Sequence, residues 1–202
     1  GLIDGSKGLF RWGGRPWGGE RPKRDQKSEK DNNSAKPGQR PQRPRQDEPV
    51  DLSRYAGYGN KAIALKQCRN VIIRDVSFLL GGHFCILSSG VDNLTIDNLK
   101  IDTNRDGINI DCCRHVRISN CTVNAPNDDA IVLKSTHALG FVRATENLSI
   151  TNCQVMGYDP GTFLDGTYQT NQEVAPDRGG MTGRIKMGTE SNGGFKNISI
   201  SN

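Results

Sequence analysis

The sequence predicts an all-β solenoid, a parallel β-helix, and three observations carry that expectation. Five segments share one alternating template, each has a polar residue at the same bend, and the bends recur at intervals of about 22 residues or more. The segments are NVIIRDVSF (70–78), DNLTIDNLKI (92–101), RHVRISNCTV (114–123), ENLSITNCQV (146–155) and KNISISN (196–202). Each reads apolar, polar, apolar, two polar, apolar, polar, apolar. That alternation has the period of a strand with one buried face, and the two-residue polar break resets which side faces inward. Each segment is therefore expected to be two short strands around a bend.

At the bends stand Asp75, Asn98, Asn120, Asn152 and Asn202, spaced 23, 22, 32 and 50 residues apart. Asparagine tolerates left-handed backbone, and its amide can bond an identical neighbour above and below. A unit of about 22 residues is too short for a helical crossover but fits one rung of a coil whose rungs stack about 4.8 Å apart. The larger gaps are then rungs carrying loops. Cys121 and Cys153 fall in register at an apolar position and read as stacked core thiols. The six cysteines lack paired metal-ligand spacing, so zinc is not expected, and Cys112 and Cys113 have no assignment.

Three regions follow in chain order. Residues 1–14 read as an N-terminal β-helix segment, 15–49 as a disordered, basic, proline-rich insert, and 50–202 as the β-helix domain, incomplete at its C-terminal end. The insert holds six of the nine prolines and ten Lys and Arg against six Asp and Glu, so nearly all of the chain's formal charge of +5 sits there. It has too little apolar surface to offset its ordering entropy. It reads as a solvated loop or as an electrostatic contact for a polyanion such as pectin; mixed acids and a lone Trp17 argue against nucleic acid. No run is apolar enough to span a membrane. The chain begins and ends in mid-pattern, as a piece of a longer protein would.

Two polar breaks stand out, NRDGINID (104–111) and NAPNDDAIVLKS (124–135). Counting eight residues past successive bends places His83, Asp106 and Asp128 in one column, with Asp129 able to join if APNDD turns or bulges. Clustered carboxylates repel, so a fold without use for them would disperse them. One reading is glycoside hydrolysis, with a protonated acid and a base or nucleophile. A second is calcium binding in a polysaccharide lyase, and a third is that Asp106 and Asp128 merely form turns.

At these residues the chain resembles glycoside hydrolase family 28, the polygalacturonase and rhamnogalacturonan hydrolase group. NRDGINID is similar to that family's NTDGID motif, and NDDAIVLKS to its DDCIAIKSG motif. GLIDGSKGLFRW (1–12), KQCRNVIIRDVSFLLGGHF (66–84) and MGTESNGGFKNI (187–198) resemble further family segments. The resemblance implies a right-handed parallel β-helix and an inverting hydrolase without cofactor or metal. It also implies Asp128 as general acid, its proton affinity raised by its anionic neighbours, with Asp106 and Asp129 activating water. Inversion requires acid and base roughly 6.5–9.5 Å apart.

The family's histidine has no counterpart, because Thr182-Gly183-Arg184 occupies its place. His83, Lys134, Arg184 and Lys186 are the expected substrate contacts. Tyr158, Phe163, Tyr168, Asp159 and Asp165, in the loop 157–180, read either as a sugar-cleft wall or as a packed surface loop. The expected partner is a plant cell-wall or related polysaccharide, acted on by a secreted or periplasmic monomer that binds neither nucleic acid nor membrane. A β-helix that binds carbohydrate without cleaving it is the alternative to an enzyme.

Overall fold

The computed structural model describes residues 2–4, 61–171 and 184–202; the predicted insert 15–49 and most of the predicted N-terminal segment lie outside them. After β1 (Leu2–Asp4) come β2 (Lys61–Lys66), β3 (Arg69–Arg74) and β4 (Ser77–Leu79). The triplet repeats as β5 (Phe84–Ser89), β6 (Asp92–Asp97) and β7 (Lys100–Asp102), then as β8 (Asp106–Asp111), β9 (Arg114–Ser119) and β10 (Thr122–Asn124). It repeats again as β11 (Ile131–Ser135), β12 (Thr145–Thr151) and β13 (Gln154–Met156), before β14 (Ile185–Ser191) and β15 (Phe195–Ser201). Every pairing is parallel, and the strands form three five-stranded sheets. Sheet A is β1-β4-β7-β10-β13, sheet B is β14-β11-β8-β5-β2, and sheet C is β15-β12-β9-β6-β3. Each rung thus contributes one strand to each sheet, the arrangement of a parallel β-helix. Among the described residues no helix is long and apolar enough to cross a membrane.

Register stacks like on like inside the coil. Ile86, Ile108, Ile131 and Ile185 lie in one column of sheet B; Leu94, Val116, Leu148 and Ile198 lie in one of sheet C; Phe78, Ile101, Val123 and Val155 lie in one of sheet A. All but the last-rung members Val155, Ile185 and Ile198 are buried. These columns are the core, and each fully buried branched side chain contributes about 1.5–3 kcal/mol.

The bends behave as their chemistry predicts. Asp75, Asn98, Asn120 and Asn152 all have positive φ, between 50° and 59°, and each turns sheet C into sheet A. Asn98 Nδ2 donates to Asp75 Oδ1 at 2.9 Å and Asn152 Nδ2 to Asn120 Oδ1 at 2.7 Å, while Asn120 Nδ2 turns to Asp97 Oδ1 at 2.8 Å. A second polar ladder runs at the head of sheet C, where Asn93 donates to Asn70 at 2.8 Å and Asn197 to Asn147 at 2.9 Å. Cys121 and Cys153 stack beside the first ladder as free thiols. Cys112 takes the left-handed corner position between sheets B and C, with φ 55°, and Cys113 enters the core.

The long gaps are rungs with loops, as spacing predicts. Residues 136–144 lengthen a corner between sheets B and C; Asp111 holds this loop by accepting from Thr136 N at 2.8 Å and Thr136 Oγ1 at 2.6 Å, and Arg143 pairs with Asp92. The segment after β13 leaves the corner between sheets A and B, where both aspartate motifs lie. Its described part, 157–171, folds back along that corner: Asp102, fully buried, accepts from Gly161 N (2.9 Å), Leu164 N (2.8 Å) and Asn124 Nδ2 (2.8 Å).

Candidate active site

Asp106 opens β8, and the residue after it explains its position. A Cβ on Gly107 would stand 2.5 Å from Ala130 O and 2.4 Å from Val123 Cγ1, so only glycine lets the two rungs close here. Gly107 N donates to Asp129 O at 3.0 Å and Ile108 N to Ala130 O at 2.8 Å, which sets Asp106 beside Asp129 across adjacent strands. Asp106 is 3% exposed, and Asn109 Nδ2 donates to its Oδ2 at 2.9 Å. Burial, reinforced by the neighbouring Asp128, pushes this carboxyl up to about 7; Lys134 and the Asn109 amide pull the other way.

The corner 125–128 has one residue more than the corner 103–105 below it. Ile131 consequently pairs with Ile108 at an offset of 23 residues, against the 22 between Asn98 and Asn120. That extra residue is the turn the sequence required for two adjacent acids to share a site. It also changes the column. Phe84 pairs with Asp106, so by register the line is Phe84, Asp106 and Asp129; His83, Arg105 and Asp128 occupy the position just ahead on each rung. The expected alignment of His83 with Asp106 and Asp128 is corrected accordingly, though all three carboxylates converge.

One oxygen from each of Asp106, Asp128 and Asp129 lies within 4.8 Å of the other two. Rung spacing alone, about 4.8 Å, separates in-register side chains, which is what lets oxygens from adjacent rungs meet here. Asp128, partly exposed, is gripped by Arg105, whose Nη2 and Nε donate to the same Oδ2 at 2.7 and 3.1 Å. Asp128 Oδ1 accepts from Asp129 N at 3.1 Å. Asp129, 2% exposed, is bound by Lys186 Nζ at 3.0 Å, a contact that raises the lysine's proton affinity. A raised proton affinity is found at Asp106, buried beside Asp128.

Of the four expected substrate contacts, Arg184 and Lys186 reach the acidic corner itself, Lys134 acts on Asp106 from β11, and His83 stands one residue ahead of Phe84, the register partner of Asp106. His83 packs edge-on against Phe84, ring centroids 4.5 Å apart. Lys134 reaches Glu190 Oε2 at 3.4 Å and lies 5.9 Å above the Phe84 ring. Arg184 Nη1 donates to Ala125 O at 2.6 Å and Asp128 O at 3.4 Å, so it braces the backbone of the acidic corner. Lys186 meets Asp129 directly. Thr182 and Gly183 lie outside the described residues. In the loop, Tyr158 and Phe163 pack against Tyr168 at 5.3 and 6.4 Å. Asp159 accepts from Asn171 N and Asp165 from Thr167, so both acids stabilise the loop's own turns.

Arg105 and Asn109 are functional neighbours that sequence reasoning passed over. The signal was present for Arg105, since it precedes Asp106 as Asp128 precedes Asp129. Comparison among the acids separates two kinds. Asp102 and Asp111 accept backbone N–H groups and hold loops, which is the turn-forming role. The bonds of Asp128 and Asp129 go largely to cationic side chains at a shared point, and Asp106 faces the same point. This triad can supply a proton and an anion within one small volume, which suits acid–base or nucleophilic chemistry at an acetal carbon. Two of its three members already hold a cation of the protein, which lowers the attraction for a metal ion.

A family model described as "Right handed beta helix region" matches residues 51–172. No curated protein and no solved structure gives a match.

Proposed function

The chain belongs to the family of right-handed β-helix regions, and from that premise we propose that it is a glycoside hydrolase cleaving a plant cell-wall or pectin-type polysaccharide. The observation that carries the proposal is the convergence of Asp106, Asp128 and Asp129 at one corner of adjacent rungs, within 4.8 Å. The acids supply the proton and the anion that hydrolysis of an O-glycosidic bond needs. The motifs shared with glycoside hydrolase family 28 support the same reading.

In the inverting course that the resemblance implies, one carboxylate removes a proton from water as its oxygen attacks the anomeric carbon. The glycosidic C–O bond breaks while the acid protonates the leaving oxygen.

The test is product analysis with the full-length protein on a panel of pectic and hemicellulosic polymers, following the first-formed anomer by proton NMR. New reducing ends are expected, without ultraviolet-absorbing unsaturated products and without loss of activity in chelator. Substituting Asp106, Asp128 or Asp129 singly by Asn should lower kcat by about 10²–10⁴ on unactivated glycans. Tight glycan binding without turnover would instead mark a binding module, and unsaturated, chelator-sensitive products a lyase.

A further inference from the structure

The three carboxylates are not equivalent, and the difference lies in what surrounds each. Asp128 has two Arg105 N–H groups on one oxygen, at 2.7 and 3.1 Å, and the backbone N–H of Asp129 on the other. Asp129 has the Lys186 ammonium at 3.0 Å. All of these donors favour the carboxylate form. Asp106 has a neutral amide donor, Asn109, and almost no solvent. The charged groups facing it are Asp128 and Asp129 from the corner above, Lys134 from β11, and Lys186 from β14. Of the three acids it is the one whose side-chain donor is an uncharged amide.

Resting on the hydrolase reading, we propose that Arg105 is a positioning residue that keeps Asp128 anionic, and that Asp106 is the carboxyl that delivers the proton to the leaving sugar oxygen. This reverses the roles the family resemblance implies for the two residues. In the step itself, the Asp106 proton passes to the glycosidic oxygen as the C–O bond breaks. Asp128, as base, takes a proton from the water whose oxygen bonds the anomeric carbon, and solvent then carries that proton from Asp128 back to Asp106 to restore the starting state.

The assignment makes opposite predictions for the two limbs of a pH profile. Removing the Arg105 charge makes Asp128 easier to protonate. If Asp128 is the required anion, Arg105→Gln moves the acid limb of kcat/KM to higher pH by about one unit or more and moves the basic limb less. If Asp128 is the proton donor, the basic limb moves up instead, and the proposal is overturned. Arg105→Lys, which keeps a point charge, should return the acid limb most of the way. A measurement that needs no substrate runs alongside. In protein carrying ¹³C-carboxyl aspartate, the resonance missing from Asp106→Asn should titrate near neutral pH in the parent and remain present in Arg105→Gln. If the resonance missing from Asp128→Asn titrates near neutral pH instead, the division of roles is wrong whatever the substrate proves to be. Failure to cleave any glycan, with Asp106 still titrating near neutral pH, would sink the hydrolase reading and leave the order of proton affinities standing.

Discussion

Asp106 is held where its charged form is disfavoured, and that has a cost in folding. In the unfolded chain its carboxyl ionises near the ordinary value of 3.8, whereas in the folded protein it does so at about 7. Between those values the folded state retains a proton that the unfolded state has released, so stability falls as pH rises through this window. The destabilisation is absent below about pH 4 and complete above about pH 7. Asp106→Asn should therefore raise Tm relative to the parent at pH 8 and lose that advantage at pH 4, as calorimetry at both values would show; an equal shift at both would refute the linkage. Sequence made the acids at this site legible but not their roles. The extra residue in APNDD decides whether Asp128 or Asp129 lies opposite Asp106, and one residue of offset is invisible until strands pair. Arg105 was obscured by the same offset.

Asp102 shows how an element depends on one buried carboxylate. Its oxygens take two backbone N–H groups from the 157–171 loop and the Asn124 amide, and Asn124 Oδ1 accepts from Tyr158 N at 2.7 Å. Asp102→Ala leaves buried donors unsatisfied, at about 1–3 kcal/mol each. Global stability should fall by about 2–6 kcal/mol on that basis, from the Gly161 and Leu164 N–H groups, since Asn124 Nδ2 keeps Tyr158 O as acceptor. Amide exchange at Gly161 and Leu164 should accelerate well beyond that of β9 and β12, and uniform acceleration throughout would argue against a local anchor. The loop's interruption of the repeat was evident in the sequence, since its composition breaks the rung template. Its attachment was not, because Asp102 ends a strand two rungs before the loop begins and nothing local marks the pair.

At the scale of the whole molecule the repeat was legible because stacking is a sequence-periodic interaction. The same apolar position must recur on each rung to fill the interior, and the bend residue must recur to turn the chain; Ile86, Ile108, Ile131 and Ile185 and the bend ladder are that requirement made visible. What periodicity cannot encode is the length of each corner, which sets register between rungs. Of the three corners, the one between sheets C and A always has two residues: Asp75 and Val76, Asn98 and Leu99, Asn120 and Cys121, Asn152 and Cys153. The other two vary, as 136–144 and the segment after β13 show. Adding one residue after Asn98 would exchange the inward and outward sets of β7, because that corner has no slack, while adding one glycine within 138–141 would lengthen only a loop. The first insertion should lower Tm sharply and the second should move it by no more than a few degrees. The invariant corner thus works as a keel: variation in loop length, and with it any retuning of what the coil grips, is confined to the two sides on which the acids and the loops already lie.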